Sequence, residues 1–208
     1  MSWFAALAQG ITLSEGRVIP CQAYLEACEN YQKQSWRNRC RIFSSQGVEN
    51  LLVPVVHEGG THALPITRIR VDYSTPWVVR TQRAITSAYR SSAFFEYYMD
   101  PFFAILDSHP ETLWELNLTL IRFFLDKMGL PVSLVPTEKF VLPGSGVCGR
   151  DYREAIHPKR PNAILAELQL EKPYFQVFSG KYGFQSDLSV MDLLFNEGPD
   201  SILFLKKQ

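Results

Sequence analysis

The sequence has no excess of charge of either sign. It contains 21 basic and 21 acidic residues among 208, so that its formal net charge at pH 7 is zero. A neutral chain creates no extended positive field that would attract a nucleic acid or an anionic membrane surface. We therefore expect no nucleic-acid partner, and any anion that binds must be held by a local group of cations.

Long apolar runs and leader-like segments are also missing. No window of about 18 residues is apolar and uncharged throughout, as a membrane-spanning helix requires. The opening residues MSWFAALAQG contain no basic region ahead of an apolar one, which a secretory signal would need. The sequence thus predicts no membrane span, and we expect a cytoplasmic protein.

Residue patterns for metals and for several common enzymes are absent. The four cysteines form no C-x-x-C pair and the four histidines are scattered, so no zinc site is predicted. No G-x-S-x-G, P-loop or H-E-x-x-H motif occurs, which leaves the usual hydrolase, NTPase and metalloprotease classes without support. We expect reduced thiols, no metal and no cofactor.

The length, the composition and the order of predicted strands and helices indicate a single compact domain over residues 1–208, of α/β or α+β class. Turn signals and period-2 alternation predict strands at 23–28, 39–44, 50–56, 68–73 and 131–135. Capping and stop signals predict helices at 76–90, from 93 onward, from a capping box at 108–111 to Gly129, and from a cap at Asp187 to Gly198. This order indicates a mixed β-sheet with helices packed on it.

A cationic stretch, residues 33–41, concentrates charge in this neutral chain. Within YQKQSWRNRC and the residue that follows it, an extended backbone would place Arg37, Arg39 and Arg41 on one face, with Trp36 and Asn38 opposite. A helical backbone would also give a cationic face, at i, i+4, i+8 spacing.

Two interpretations of the cationic stretch stay open. Its arginines either form solvated ion pairs with nearby carboxylates, which are common and weak, or grip a phosphate or carboxylate in bidentate fashion. The carboxylates within reach are Glu26, Glu29 and Glu49.

A second group of cations, the arginine stripe, lies on the predicted helix from Pro76. Its members share one helix face at i, i+3, i+7 and i+10 spacing: Arg80, Arg83, Ser87 and Arg90. If the stripe and the cationic stretch met over one cleft, they would hold a polyanion such as a nucleotide diphosphate. If they do not meet, the stripe is an exposed helix surface.

Other polar residues allow both a structural and a functional interpretation. Asn117 lies in an apolar helical row, where its amide serves either as a structural hydrogen bond or as a ligand contact. Asp192, inside an apolar run, is expected to cap the helix or to brace an arginine. His57 and His62 flank a glycine turn and are candidates for a general base, and Glu96 could pair with an arginine.

Four blocks of residues carry a resemblance: ENYQKQSWRNRCRI, LLVPVV, RAITSAYRSSAFFEYY and FQSDLSVMDLLFNEGPDS. They resemble the successive signature blocks of the WbqC-like family, in the form seen in Bacteroidetes, over about residues 24 to 208. The positions that match the motifs are Lys33, Trp36, Asn38, Arg39, Arg83, Tyr89, Ser91, Phe95, Glu96, Asn117 and Asp192.

The resemblance implies a place in surface-polysaccharide and O-antigen biosynthesis, where nucleotide-linked amino sugars are modified. Together with the two groups of arginines, it suggests an enzyme that transfers an acyl or aminoacyl group to such a sugar, a small phosphorylated substrate. Glu96 or His57 would then take the proton of the amine. The substrate-binding candidates are Lys33, Trp36, Arg37, Asn38, Arg39, Arg80, Arg83, Ser87, Tyr89 and Asn117. The alternative is a non-catalytic module that binds a partner through its arginines.

The N-terminal segment, residues 1–22, departs from the family pattern. Where the family usually begins with a short apolar strand and a proline-rich turn, this sequence opens with a segment that reads as helix. We therefore expect an atypical or truncated N-terminal segment and a missing first strand, which would leave a sheet edge unfilled. Apolar surface residues are compatible with a homodimer, although nothing in the sequence requires one.

Overall fold

The first residues of the chain form a helix that packs into the molecule. In the computed structural model, α1 spans Ser2–Gln9, and its apolar side chains, including Phe4 and Leu7, belong to the hydrophobic core. The structure describes residues 1–14, 17–57, 63–146, 150–153, 155–159 and 162–206.

Within the described residues, the strands form three separate pairs and not one continuous sheet. β1 (Thr12–Ser14) and β2 (Arg17–Ile19) are antiparallel, with Thr12 opposite Ile19. β3 (Cys21–Leu25) lies parallel to β6 (Val132–Pro136), with Cys21 opposite Val132. β4 (Arg39–Ser44) and β5 (Gly47–Leu52) form an antiparallel hairpin in which Arg39 faces Leu52.

The helices supply most of the core. They are α2 (Trp77–Tyr89), α3 (Phe95–Asp107), α4 (Leu113–Lys127), α5 (Ile164–Glu167), α6 (Ser179–Tyr182), α7 (Val190–Glu197) and α8 (Ile202–Leu205). Phe195 on α7 is fully buried, and its ring lies 5.4 Å from that of Tyr89, 5.3 Å from that of Phe95 and 6.1 Å from that of Phe102. Edge-on aromatic contacts of this kind add to the burial of apolar area, so α7 joins α2 and α3 in one core.

The predicted mixed α/β class is confirmed, and several predicted elements have the expected position. The strand predicted at 39–44 is β4, and the short helix predicted before Gly198 is α7. The prediction of a paired strand at 68–73 is wrong. The apolar side of this segment is nevertheless buried, because Ile69 and Val71 are 1% and 6% exposed. In that segment the backbone makes only single bridges, Val55 to Val71 and Arg70 to Thr112.

Two predicted helix caps are displaced. The capping box of α4 is formed by Thr112 and Glu115 and not by the predicted residues 108–111. The cap of α7 is Ser189, whose hydroxyl accepts from the Met191 amide, and not Asp187. In the described part of the chain, no helix has the length and hydropathy needed to cross a membrane.

Candidate functional site

A cavity with a volume of about 780 Å³ lies where distant parts of the chain meet. One wall comes from α1 and β3, and another from α4. The 3-10 turn Trp36–Asn38, the start of β4, the segment after β6 and residues 187–190 complete its lining. All three arginines of the cationic stretch line it, which makes it the candidate site.

Arg37 is held in place by a carboxylate and by α4. Its Nε and Nη2 atoms donate to the two carboxylate oxygens of Glu29, at 2.6 and 2.5 Å. The side chains of Arg37 and Glu29 are 21% and 14% exposed, so the pair is largely removed from water. The Asn117 amide donates to the Arg37 carbonyl oxygen at 2.7 Å, which fixes the backbone of the 3-10 turn.

Arg41 is attached to the segment that precedes α7. Its Nη2 donates to the Asp187 carbonyl oxygen at 2.7 Å and lies 3.8 Å from a carboxylate oxygen of the same residue. Its guanidinium carbon stands 5.3 Å from the centre of the Trp36 ring, within the range of a cation–π contact. Asp187 also accepts from the Ser2 hydroxyl and from the Asn162 amide. Arg41 is therefore anchored to Asp187 through its Nη2 atom.

Asp187 remains ionised in this setting. Burial alone would raise its pKa, but the nearby N-terminal ammonium and the hydrogen bonds from Ser2 hold the pKa below its usual value. The carboxylate is thus a fixed negative charge at the edge of the cavity.

Arg39 differs from its two neighbours. It forms no ion pair with any residue that the structure describes, and its buried Nε has no hydrogen-bond partner there. A buried guanidinium N–H without a partner is costly. Arg39 is therefore a cavity-lining cation without an ion pair among the described residues, whereas Arg37 and Arg41 are both paired.

A second charged group lies at the segment after β6. Arg153 donates to both carboxylate oxygens of Asp151 and, from Nη1, to Glu26 at 3.3 Å. Glu26 also accepts from the Thr137 hydroxyl and the Val141 amide, at 2.7 and 2.8 Å. These bonds hold the segment against β3. The hydrogen bond from Arg153 lowers the pKa of Asp151 to about 2.

Most of the remaining lining is apolar. Ile121 and Phe124 continue along α4 from Asn117, and Phe4 and Leu7 face them from α1. The rings of Phe4 and Phe124 lie 6.0 Å apart. The Cys40 thiol also lines the cavity, and burial raises its pKa to about 11, so it stays protonated and behaves as a small apolar group.

The cavity brings together some of the residues that the sequence singled out. Of the substrate-binding candidates, Trp36, Arg37, Arg39 and Asn117 line it. Asn38 is buried beside it and donates to the Val53 carbonyl oxygen.

The other candidates lie elsewhere. Tyr89 is in the aromatic core, where its hydroxyl accepts from the Phe43 amide. The cavity is not lined by the exposed residues Lys33, His57, Arg80, Arg83, Ser87 and Glu96. His62, the other histidine considered as a base, lies outside the described residues.

Of the two alternatives for the arginine stripe, the structure shows the exposed helix surface: the stripe faces solvent on α2 and does not line the cavity. The predicted face of the cationic stretch also needs correction. Trp36 was expected opposite the arginines, but the chain turns as a 3-10 helix at Trp36–Asn38, and this brings the indole ring to the same side as Arg41.

Asp192 has a structural role that differs from the expected brace to an arginine. The carboxylate is 1% exposed and accepts from the Tyr174 hydroxyl at 2.6 Å and from the Gln176 amide at 3.0 Å. Burial raises its pKa, and these hydrogen bonds act in the opposite direction. The network ties residues 174–185 to α7.

Sequence reasoning missed two parts of the site. Residues 144–149 have the spacing G-x-G-x-x-G, and the described part, Gly144, Ser145 and Gly146, lines the cavity. No strand leads directly into this segment, and the next described helix begins at Ile164, so the arrangement is not that of a dinucleotide-binding turn. The contribution of α1 carried no motif that could have revealed it.

Among the described residues, no group of three or more histidine, cysteine or acidic side chains is arranged to hold a metal ion. The polar side chains that line the cavity, Arg39 among them, are the candidates for contacts with a non-metal ligand.

Comparison with known proteins agrees with the family resemblance of the four sequence blocks. The chain is similar to the uncharacterized protein Rv1507c of Mycobacterium tuberculosis (strain ATCC 25618 / H37Rv), with 26% identity over 196 residues, which cover 85% of this chain and 84% of that protein. No solved structure matches the chain. Residues 23–147, more than half of the chain and most of the cavity lining, match the family model, and the protein belongs to the WbqC-like protein family.

Proposed function

We propose that this protein is an enzyme of surface-polysaccharide or O-antigen biosynthesis. It binds a nucleotide-activated amino sugar in the cavity and transfers an acyl or aminoacyl group to the amine of that sugar. The observation that carries the proposal is Arg39, a cavity-lining arginine whose buried Nε has no partner among the described residues.

A phosphate group is the ligand that suits Arg39. Guanidinium groups bind phosphate oxygens through paired N–H donors, and Arg37 and Arg41 line the same cavity. Trp36 and Trp114 also line the cavity and offer aromatic surface for a base or a sugar ring. A diphosphate linked to a base and a sugar combines the charge and the flat surfaces that these residues would bind.

The transfer has a simple chemical balance. The amine nitrogen attacks the carbonyl carbon of an activated donor, a carbon–nitrogen bond forms, and the bond from that carbon to the leaving group breaks. The amine gives up one proton to a base, and the leaving group departs with the electron pair. Glu96 and His57 do not line the cavity, so a role for either as the base requires a substrate that extends beyond it.

Ligand binding with variants of the two groups of arginines tests this proposal. We expect uridine, thymidine or guanosine diphosphate sugars to raise the unfolding temperature, because a ligand at about 100 times its Kd stabilises by about 2.7 kcal/mol. Arg39→Gln should abolish the shift. Arg83→Gln, at an exposed position of the arginine stripe, is the matched control and should keep it. Absence of any shift at millimolar concentration, or an unchanged shift in Arg39→Gln, contradicts the proposal.

One observation favours a second candidate function, a non-catalytic module that binds an acidic protein partner. Arg80, Arg83 and Arg90 are exposed on one face of α2 and form no ion pair with the residues that the structure describes. In that case Arg80→Glu combined with Arg83→Glu would abolish co-purification of the partner, whereas Arg39→Gln would not affect it.

A further inference from the structure

We propose that the apolar wall, defined as Phe4, Leu7, Ile121 and Phe124, receives the chain of an acyl group. The group transferred is then an apolar acyl group and not an aminoacyl group that carries an ammonium. This inference rests on the proposed function, because it names the substrate class of the same cavity.

The apolar wall continues along α4 from Asn117, a residue that contacts the cationic stretch. On α4, Asn117, Ile121 and Phe124 follow one another at i, i+4 and i+7, so they share one helix face. The rise from Asn117 to Phe124 is about 10 Å. Asn117 is bonded to the backbone of Arg37, and Phe124 meets Phe4 of α1. A ligand with its polar group at Arg39 can thus lay an apolar chain along this row.

The carboxylates of the cavity are already occupied, which disfavours a cationic group. Glu29 is paired with Arg37, and Asp187 accepts from Ser2, Asn162 and Arg41. Glu26 and Asp151 are both bonded to Arg153.

Among the described lining residues, no other acidic side chain remains to neutralise the ammonium of an aminoacyl group. Burying that ammonium unpaired would be costly. Arg39 and the exposed Arg150 are lining cations without an ion pair among the described residues, and much of the remaining lining is apolar.

The transfer then uses an acyl thioester as the donor. The sugar amine attacks the thioester carbonyl carbon, the carbon–nitrogen bond of the amide forms and the carbon–sulfur bond breaks. The sulfur leaves with the electron pair as a thiolate, and the proton released by the amine yields the free thiol. During this step the acyl chain lies against the apolar wall.

Calorimetric titration of the full-length chain with simple carboxylates tests the inference. The probes are butanoate, hexanoate and octanoate, together with ε-aminocaproate, which has the length of hexanoate and adds a terminal ammonium. We expect the affinity to rise about fourfold with each added methylene, the value for transfer of a methylene out of water. ε-Aminocaproate should bind at least tenfold more weakly than hexanoate.

Substitutions at lining residues test whether the apolar wall causes the dependence of affinity on chain length. Ile121→Asn should flatten the dependence on chain length. Leu118→Asn, at another half-buried lining position, provides the same measurement if Ile121→Asn does not fold. The matched control is Val79→Asn, a similar aliphatic-to-amide change at a side chain that is 45% exposed and does not line the cavity, and it should leave the dependence on chain length unchanged.

The outcomes separate this inference from the proposed function. The inference is overturned if affinity is independent of chain length, if neither Ile121→Asn nor Leu118→Asn changes the dependence on chain length, or if ε-aminocaproate binds as tightly as hexanoate. If nucleotide sugars still bind through Arg39 in that case, the proposed function stands. If affinity rises with the chain length of the carboxylate but no nucleotide sugar binds, the proposed function fails and the acyl site stands.

Discussion

Asn117 on α4 donates a hydrogen bond to the carbonyl oxygen of Arg37, at 2.7 Å, across a sequence separation of 80 residues. Through this bond a helix in the middle of the chain sets the backbone from which Trp36, Arg37 and Arg39 project. The apolar neighbours of Asn117 along the helix predicted that its amide would need a partner. The structure identifies that partner as the turn before β4.

Replacing this amide should loosen the turn. Asn117→Leu keeps the size of the side chain but leaves the Arg37 carbonyl oxygen without its donor, so we expect the free energy of unfolding to fall by about 1–3 kcal/mol. Urea unfolding measures the change. Thr119→Ala, at an exposed position of the same helix, should stay within about 0.5 kcal/mol of the parent. Equal effects of the two substitutions would show that the hydrogen bond does not stabilise the turn.

Releasing Arg37 from Glu29 should affect stability and anion binding in opposite directions. Glu29→Gln removes the charge that pairs with Arg37 in a largely buried position, so we expect a loss of about 1–2 kcal/mol in stability. The freed guanidinium should bind pyrophosphate more tightly, as calorimetry can measure.

Glu111→Gln is the control for this prediction. Glu111 lies 3.8 Å from Arg70 with a side chain that is 75% exposed, and exposed pairs contribute little. If Glu29→Gln bound pyrophosphate no more tightly than Glu111→Gln, then Arg37 would not contribute to an anion site.

Asp151 should contribute to the loss of unfolding free energy at acidic pH. Its pKa is lowered from 3.8 to about 2 by the hydrogen bond from Arg153. Because the folded-state pKa lies below the unfolded one, the contribution is fully present above pH 3.8 and is lost as the pH falls toward 2. Asp151→Asn should therefore flatten the fall in unfolding free energy between pH 4 and pH 2, measured by urea unfolding at each pH. Glu138→Gln, at an exposed position, should leave that slope unchanged, and an equally steep slope in Asp151→Asn would rule out this role for the pair.

Gly198 should not tolerate a side chain. Its φ is 55°, and a Cβ placed there would lie 2.5 Å from a ring carbon of Phe94. We expect Gly198→Ala to cost about 2 kcal/mol or more, from backbone strain and overpacking together. Gly180→Ala is the control, since nothing lies within 4 Å of its Cβ position and alanine favours the helix by about 0.5–1 kcal/mol. A thermal melt compares the two, and a stable Gly198→Ala protein would contradict the contact with Phe94.

The sequence predicted the type of most elements because their periodicity and stop signals are local. It misplaced the cap of α4 because SHPETLWE contains two consecutive S/T-x-x-E patterns. The structure uses the second: His109 has a left-handed backbone, with φ 50°, which ends the preceding helical segment, and Thr112 then opens α4. The choice between the two patterns depends on packing that the spacing of residues does not show.

Alternation of apolar residues predicted burial better than it predicted pairing. Ile69 and Val71 point inward as expected, but a strand also requires a neighbour to share its hydrogen bonds, and here Arg70 and Val71 each bridge to a different segment. The candidate site was predictable only in part. The cationic stretch marked Arg37 and Arg39, whereas the apolar wall needs α1 and α4 to meet, which is a property of the tertiary structure.

The parallel pairing of β3 with β6 has a consequence for the order of folding. The two strands are joined by more than half of the chain, with Cys21 beside Val132, and such long-range pairing is slow because the intervening chain loses entropy before any contact compensates. During synthesis, β3 has no partner until residue 136 has left the ribosome. We therefore expect the hairpin of β4 and β5 and the middle helices to form first, and ligand-binding competence to be among the last properties that the new chain acquires.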